Sequence, residues 1–353
     1  MLVDSNSLLF RLCKIAIETS ASDLHLAVGQ PPIVRVRGEL RSVQNEPAIV
    51  RKDLLEEFKK IVPADVYASY EEKNDKDFSI ELPTSERFRI DIYWKNGEPA
   101  LAARLIPAII PSLEELEAPE SALEFVKLSQ GLVLVTGPTG AGKSTLLASM
   151  IEHINQNETK HILTLEDPVE FIFEPAKSLI SQRELGIDFM SFDEGLKHVF
   201  RQDPDIILIG EMRDPETMAT AMTLAETGHL VFATLHTNGA AATVERVINA
   251  FQTERQAQIR LQLSLVLKGV ISQLLIPTAD GTLTPVHEVL VTNHAVANII
   301  RDGHTEQLQN IIFTSSSDRM VDLDQELKML LDEGRITRDT AVEYSRNPKN
   351  FKL

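Results

Sequence analysis

The 353-residue chain is 43% hydrophobic and 25% charged, the composition of an ordinary globular protein, and its length suits two or three domains. Its formal net charge of -17 excludes a general nucleic-acid binder, because phosphate backbones are held by clustered Lys and Arg, and leaves room only for a local basic patch. A single cysteine, Cys13, excludes an internal disulfide framework and any zinc site of two or more cysteines, so a reducing cytosol is the expected home.

The N-terminal stretch "LLFRLCKIAI" is broken by Arg11 and Lys14 and lacks a small-residue cleavage site, which is not the pattern of a secretory signal. No uncharged apolar run approaches the roughly eighteen residues of a spanning helix, so membrane association is expected through a partner, without direct insertion. Helical stretches near 7–19 and 52–72 are mixed with the alternating strands "IVRVRGEL" (33–40) and "RFRIDIYW" (87–94). This pattern predicts a small α+β domain with a partly exposed sheet over residues 1–110. The stretch "IPAIIPSLEELEAP" (106–119), with its prolines and acidic residues, reads as a linker. From Gly131 onward, short and nearly uninterrupted apolar strands alternate with helices: "LVLVTG", "HILTLE", "DIILIGE" and "HLVFATLH". Strands apolar on both faces belong inside a parallel sheet covered by helices, so residues 120–353 are expected to form an α/β domain. The tail, roughly 293–347, reads as helices, with Asn293 as a cap and Leu323, Leu327, Leu330 and Leu331 as an apolar stripe closed by Gly334. There is no internal repeat and no low-complexity tract.

Residues 137–145, "GPTGAGKST", satisfy the P-loop pattern and lie between a buried strand and a helix, the context that the motif requires. Gly137, Pro138, Thr139, Gly140, Ala141 and Gly142 would wrap main-chain N–H groups around a phosphate, and the helix N-terminus adds partial positive charge. Lys143 is expected on the β- and γ-phosphates of ATP, the Ser144 hydroxyl on Mg²⁺ and Thr145 near the α-phosphate. Ligands of open parallel sheets sit at the carboxyl ends of the strands, which draws attention to Glu166, Asp167 and Glu211. One of these carboxylates can polarise the attacking water and another can hold a magnesium-bound water. Glu211 is the choice for the water-activating or magnesium-organising role. Asp205, at the other end of its strand, is expected to be structural. His236 and His229 flank one strand and should lie about 23 Å apart at roughly 3.3 Å per residue. His236, beside the P-loop, is the candidate γ-phosphate sensor, while His229 is placed in packing or a subunit contact.

These motifs, together with "ASDLHL" (21–26), "LEDPVEF" (165–171), "DPDIILIGEMRDPET" (203–217) and "TGHLVFATLHTN" (227–238), occur in the order seen in the secretion and type IV pilus ATPases. The chain resembles that family over nearly its whole length, most closely its pilus-retraction members. The resemblance implies a RecA-like P-loop ATPase domain with a predominantly parallel sheet, preceded by a small α+β (PAS-like) domain and followed by C-terminal helices. It implies Glu166 in an Asp box, Glu211 in an atypical Walker B motif, and both His229 and His236 in a His box of the nucleotide site. It also implies nucleotide-contacting arginines in the N-terminal domain, at positions matching Arg89 and Arg104, acting on their own subunit's nucleotide or a neighbour's. Guanidinium groups there would stabilise charge on the γ-phosphoryl group, a need expected if the P-loop domain has no other cation nearby. The family implies a ring-shaped homohexamer whose domains rotate with hydrolysis, a cytoplasmic location, and an inner-membrane pilus or secretion platform as partner. Assembly members carry a tetracysteine zinc element and a longer N-terminal region, both absent here. Retraction members carry an "AIRNLIRE" motif, matched by "AVANIIRD" (295–302) at Asn298, Ile300 and Arg301 but not at Ala297 and Asp302. An accessory pilus motor, a type IV secretion ATPase or a nucleotide-gated structural protein of a secretion platform stands as the alternative.

Overall fold

Alternating polarity in the first hundred residues produces an antiparallel sheet with one apolar and one polar face. The computed structural model describes residues 7–36, 38–84, 86–106, 109–315 and 318–351. Arg37, within the expected strand 33–40, and Pro107 and Ala108, within the expected linker, lie outside them. The chain divides into two units, Met1–Ile109 with Glu170–Ile172, and Ile110–Val169 with Phe173–Leu353.

The first unit runs α1 (Leu8–Glu18), β1 (Asp23–Ala27), β2 (Ile33–Val36), β3 (Glu39–Ser42), α2 (Arg51–Ile61), α3 (Ala64–Glu71), β4 (Lys76–Glu81), β5 (Arg87–Lys95) and β6 (Glu98–Ile106). Among the described residues its sheet has six strands in the order β3-β2-β1-β6-β5-β4, paired antiparallel throughout. Ser7 starts α1 by accepting the Phe10 N–H at 3.0 Å. The expected helix over 52–72 is two helices, because Pro63 cannot continue the first and holds Val62 in an extended conformation (φ -122°, ψ 151°). Leu9, Leu12, Leu54 and Phe58 pack with Phe88, Ile90 and Ile92, so the even-numbered residues of β5 form the core. The odd-numbered residues, Arg87, Arg89, Asp91 and Tyr93, are half-buried on the opposite face.

The second unit runs α4 (Glu120–Phe125), β7 (Gly131–Thr136), α5 (Lys143–Asn157), β8 (His161–Glu166), β9 (Leu179–Glu184), α6 (Phe192–Val199), β10 (Ile206–Ile209), α7 (Pro215–Glu226), β11 (Leu230–Leu235), α8 (Ala240–Asn249), α9 (Thr253–Val266), β12 (Leu267–Pro277), β13 (Leu283–Val291), α10 (His294–Asp302), α11 (Leu308–Thr314), α12 (Leu323–Asp332) and α13 (Arg338–Tyr344). Among the described residues its sheet has seven strands in the order β13-β12-β7-β11-β10-β8-β9, all parallel to their neighbours except β13, which turns back on β12. This is an α/β unit with a predominantly parallel sheet, followed by C-terminal helices. Every residue of β7, β10 and β11 is buried, the consequence of helices on both faces. In the tail, Asn293 caps α10 by accepting the Val296 N–H at 3.0 Å, and Leu323, Leu327 and Leu330 are buried on α12 with Leu331 packed beside them.

Candidate active site

The phosphate loop is shaped by close approach to β12. Gly137 (φ +143°) lies so near Gln273 that a Cβ there would stand 2.2 Å from the Gln273 carbonyl oxygen, and a Cβ on Gly142 (φ +82°) would stand 2.8 Å from Gln273 Nε2. Only glycine fits both positions. Gln273 is itself buried and donates from Nε2 to the Ala141 carbonyl at 2.6 Å, bracing the loop from below. Pro138, Thr139 and Gly140 form the exposed crest, Ala141 is buried, and Ser144 and Thr145 are half-buried at the start of α5. That helix opens on Gly142 with no side-chain cap, whereas α7, α10, α12 and α13 all carry one. An uncapped N-terminus beside a glycine loop presents main-chain donors to an anion.

Lys143 is buried, and its Nζ donates to the Gly137 and Pro138 carbonyls at 2.9 and 3.0 Å. It also stands 3.4 Å from His236 Nδ1. The other ring nitrogen, Nε2, lies 3.2 Å from Glu211 Oε1. The loop lysine, the residue after β11 and the second residue after β10 therefore form one continuous line of contacts. Thr234 fastens two of these strand ends by donating from Oγ1 to the Gly210 carbonyl. Glu166, at the end of β8, is buried and accepts from Thr164 Oγ1 at 2.7 Å and Gln182 Nε2 at 3.2 Å. Gly210 passes close to it, since a Cβ on Gly210 would stand 3.3 Å from Glu166 Cα. Asp205 lies at the other end of the sheet, where its Oδ2 accepts the His161 N–H at 2.9 Å. It is structural, as expected.

The donor set fits magnesium better than a softer metal, because Ser144, Glu166 and Glu211 offer hard oxygens. Among the described residues no three His, Cys, Asp or Glu side chains are grouped to hold a metal alone.

Two expectations need correction. His229 lies before β11, where its Nδ1 is 2.9 Å from the Leu224 carbonyl and its ring meets Phe200 edge-on. The parallel sheet puts that end opposite the phosphate loop, so His229 does not join the nucleotide site of its own chain. The second unit also holds a further cation, Arg213, whose Nε stands 2.9 Å from Glu211 and whose Nη1 stands 3.9 Å from Asp167. The Glu211 carboxylate raises the Arg213 guanidinium above its ordinary range. Its place two residues after Glu211 is the signal that finds it.

Arg89 and Arg104 belong to the first unit, where they are register partners on β5 and β6 and so share the polar face. Arg104 Nε donates to Asp23 at 2.9 Å, and Arg89 Nε stands 3.4 Å from Asp77. Burial pushes the Asp23 carboxyl up, but hydrogen bonds from Ser22 and Arg104 outweigh it and leave it below the ordinary value.

A cavity of about 590 Å³ opens beside Gly142 and Thr145, bounded by Leu116, Leu275 and Pro285. Arg335 stands on its rim and pairs with Glu117 at 2.6 Å. A shelf of this kind, continuous with the phosphate loop, has room for a ribose and a base.

Comparison with known proteins agrees with this arrangement. The family described as type II/IV secretion system protein matches residues 6–307. The type IV pilus retraction ATPase PilT of Pseudomonas aeruginosa is 42% identical over 340 residues, covering 96% of this chain and 98% of that protein. A twitching motility protein of Neisseria gonorrhoeae is 41% identical over 348 residues, covering 98% and 92%. A crystal structure of the pilus retraction motor PilT with bound ADP superposes with a TM-score of 0.91 at 41% identity, covering 98% of each chain.

Proposed function

This chain belongs to the type II/IV secretion system protein family, and we propose that it is the ATP-hydrolysing motor that retracts a type IV pilus, with the catalytic roles set out below. The line of contacts from Lys143 through His236 to Glu211 carries the reading. It joins the phosphate loop to a carboxylate at the end of a neighbouring strand, where the γ-phosphate of a bound nucleotide would end.

The uncapped start of α5 and the glycine loop hold the β-phosphate, with Lys143 on the β- and γ-phosphates. The base and ribose lie in the cavity beside Thr145. Mg²⁺, held by Ser144 and through water by Glu211 or Glu166, would supply charge neutralisation on the phosphate oxygens. Glu211, oriented by His236 and Arg213, directs a water oxygen at the γ-phosphorus and accepts its proton as the bond to the bridging oxygen breaks. His236 contacts the γ-phosphate and reports its loss. Arg89 and Arg104, from the polar face of the first unit, stabilise charge on the transferring group. The working assembly is a homohexameric ring in which hydrolysis rotates the two units against one another. Among the described residues no helix is long and apolar enough to cross a membrane, so a cytoplasmic motor would reach the inner membrane through a platform protein.

The departures in "AVANIIRD" do not bear on the core of α10, because Val296 and Ile300 are its buried residues whereas Ala297 is half-buried and Asp302 exposed. Asn298 and Arg301 are exposed and available to a partner. Deleting the gene and scoring surface filaments tests direction: excess filaments support retraction, and absent filaments would make this an assembly motor. Purified protein should hydrolyse ATP in a Mg²⁺-dependent manner, and negligible turnover under all conditions would leave only a nucleotide-gated structural role.

A further inference from the structure

The most deeply buried carboxylate among the described residues lies outside every motif considered so far. Glu288 on β13 is 1% exposed, and three groups converge on it. Its Oε1 accepts the Ala240 N–H at 2.7 Å and Arg346 Nη2 at 2.7 Å, while Oε2 accepts Gln309 Nε2 at 3.2 Å. Ser272, its register partner on β12, accepts the preceding N–H, that of Gly239, at 2.8 Å. Two consecutive amides at the start of α8 are thus pinned by adjacent side chains of one sheet face. Only Thr237, Asn238 and Gly239 separate that anchor from His236. Within this short loop, Thr237 Oγ1 lies 2.6 Å from Thr243 Oγ1, which in turn donates to Thr136 at 3.3 Å.

Arg346 reaches Glu288 from the segment after α13. Its guanidinium covers Gly239 so closely that a Cβ there would stand 2.0 Å from Nη2. The segment is itself held, because the Asp324 carboxylate accepts the N–H groups of Arg346 and Asn347 at 2.8 and 3.0 Å. Capping of α8 by Glu288 would by itself account for the Ala240 contact and would benefit from the helix dipole. It would not account for a guanidinium drawn from more than fifty residues away and laid over the one loop position that has no side chain.

We propose that Glu288, paired with Arg346, is a positioning residue for His236: the end of the chain clasps the loop that carries the imidazole and sets its distance from Lys143 and Glu211. The inference rests on His236 acting at the γ-phosphate. A buried carboxylate left without its cation is strongly disfavoured, so release of Arg346 would shift the strand end it holds. Loss of the clasp should therefore slow the chemical step while sparing nucleotide binding, which belongs to the phosphate loop.

The test is a double-mutant cycle on the full chain, read by single-turnover and steady-state ATP hydrolysis. Arg346→Ala should lower kcat by about tenfold to a hundredfold, as misplacing a reacting group does, with KM and the affinity for a fluorescent ADP analogue within about twofold of the wild type. Arg346→Lys should restore part of the loss. Combined with His236→Ala, Arg346→Ala should add no further loss, because both act through the same imidazole. The inference is overturned if Arg346→Ala leaves kcat unchanged, if it costs the same factor in the His236→Ala background, or if the loss appears in KM. Should Arg346→Ala fail to fold, Glu288→Gln, which keeps an acceptor for Ala240, carries the same cycle. Full turnover in His236→Ala alone would instead remove the reading of His236, and this inference with it.

Discussion

The two sheets of this chain handle burial in opposite ways. In the seven-stranded sheet, β7, β10 and β11 are buried along their whole length, so chemistry is confined to where the strands stop: Glu166, Glu211 and His236 all follow or end a strand. The six-stranded sheet turns one face to its apolar core, and charge is spread over the other, where Arg87 starts β5 and Arg89, Asp91 and Arg104 follow along the strands beside Asp23 and Asp77. Strand ends gather reactive groups at one place with little cost to the core. An open face displays them over several strands and has to balance their charges against one another.

The sharpest way to break the comparison is to neutralise one strand end. Glu211→Gln keeps the shape and the His236 contact but removes the proton acceptor, so turnover should fall by about a hundredfold or more, the range of a lost general base. ADP-analogue affinity, followed by fluorescence, should stay close to wild type. Unimpaired turnover would separate the strand ends from the chemistry.

The polar face predicts an effect that is no larger and is differently distributed. Arg104→Ala and Arg89→Ala should each cut turnover on the order of a hundredfold, less than a single arginine finger supplies, because two guanidinium groups share the task. Mixing Arg104→Ala subunits with Lys143→Ala subunits distinguishes the two geometries. Activity returning in the mixture means the arginine serves a neighbour's nucleotide, and an inert mixture means it serves its own.

Between these lies the support of the phosphate loop. Gln273→Leu removes the donor to the Ala141 carbonyl and leaves that oxygen and His287, whose Nε2 stands 3.2 Å from Gln273 Oε1, without their partner. The stability cost should be about 1–3 kcal/mol, read as a lowered thermal midpoint, with nucleotide affinity weakened about tenfold by the same loosening. An unchanged midpoint would mean that the glycine loop holds itself.

The contrast also explains what the sequence discloses. Lys143, Glu211 and His236 are legible because a buried parallel strand announces its own end, and the residue after it is the one to inspect. Arg89 and Arg104 are not distinguishable by pattern from solvated strand arginines, and only the family resemblance singles them out. Gln273, His287, Glu288 and Arg346 carry no such mark. β12 follows α9 directly, Val266 to Leu267, and its one glycine, Gly269, comes only after the strand has begun. Their partners are also remote, Gln273 and Ala141 being 132 residues apart in the chain. β9, the edge strand beside β8, is similarly hidden, because "LISQRE" is neither apolar nor strictly alternating. The split at Pro63 was within reach, since proline rules out a continuous helix through 52–72.

The smallest effect belongs to Asp91, which shows the cost of a charged open face. Asp91 and Asp77 are register partners on β5 and β4, so two carboxylates face each other across the sheet. Asp91 Oδ1 is buried and, among the described residues, has no hydrogen-bond partner. Burial, then the Asp77 and Asp75 charges, pushes its pKa up from 3.8 to about 6, with Arg89 pulling the other way. A carboxyl group with a raised pKa binds more protons in the folded than in the unfolded chain between those two values, so stability falls as pH rises through that window. Below the window both states are protonated and nothing is lost, and above it the folded state carries the whole penalty. Asp91→Asn should therefore stabilise the protein at pH 8 by about 1 kcal/mol, less than the full shift would give because the group is half-exposed and screened by solvent. The gain should shrink as denaturant midpoints are measured down to pH 5. A gain of equal size at both pH values would mean that the new amide merely makes a better hydrogen bond, and that the open face bears no electrostatic penalty at this position.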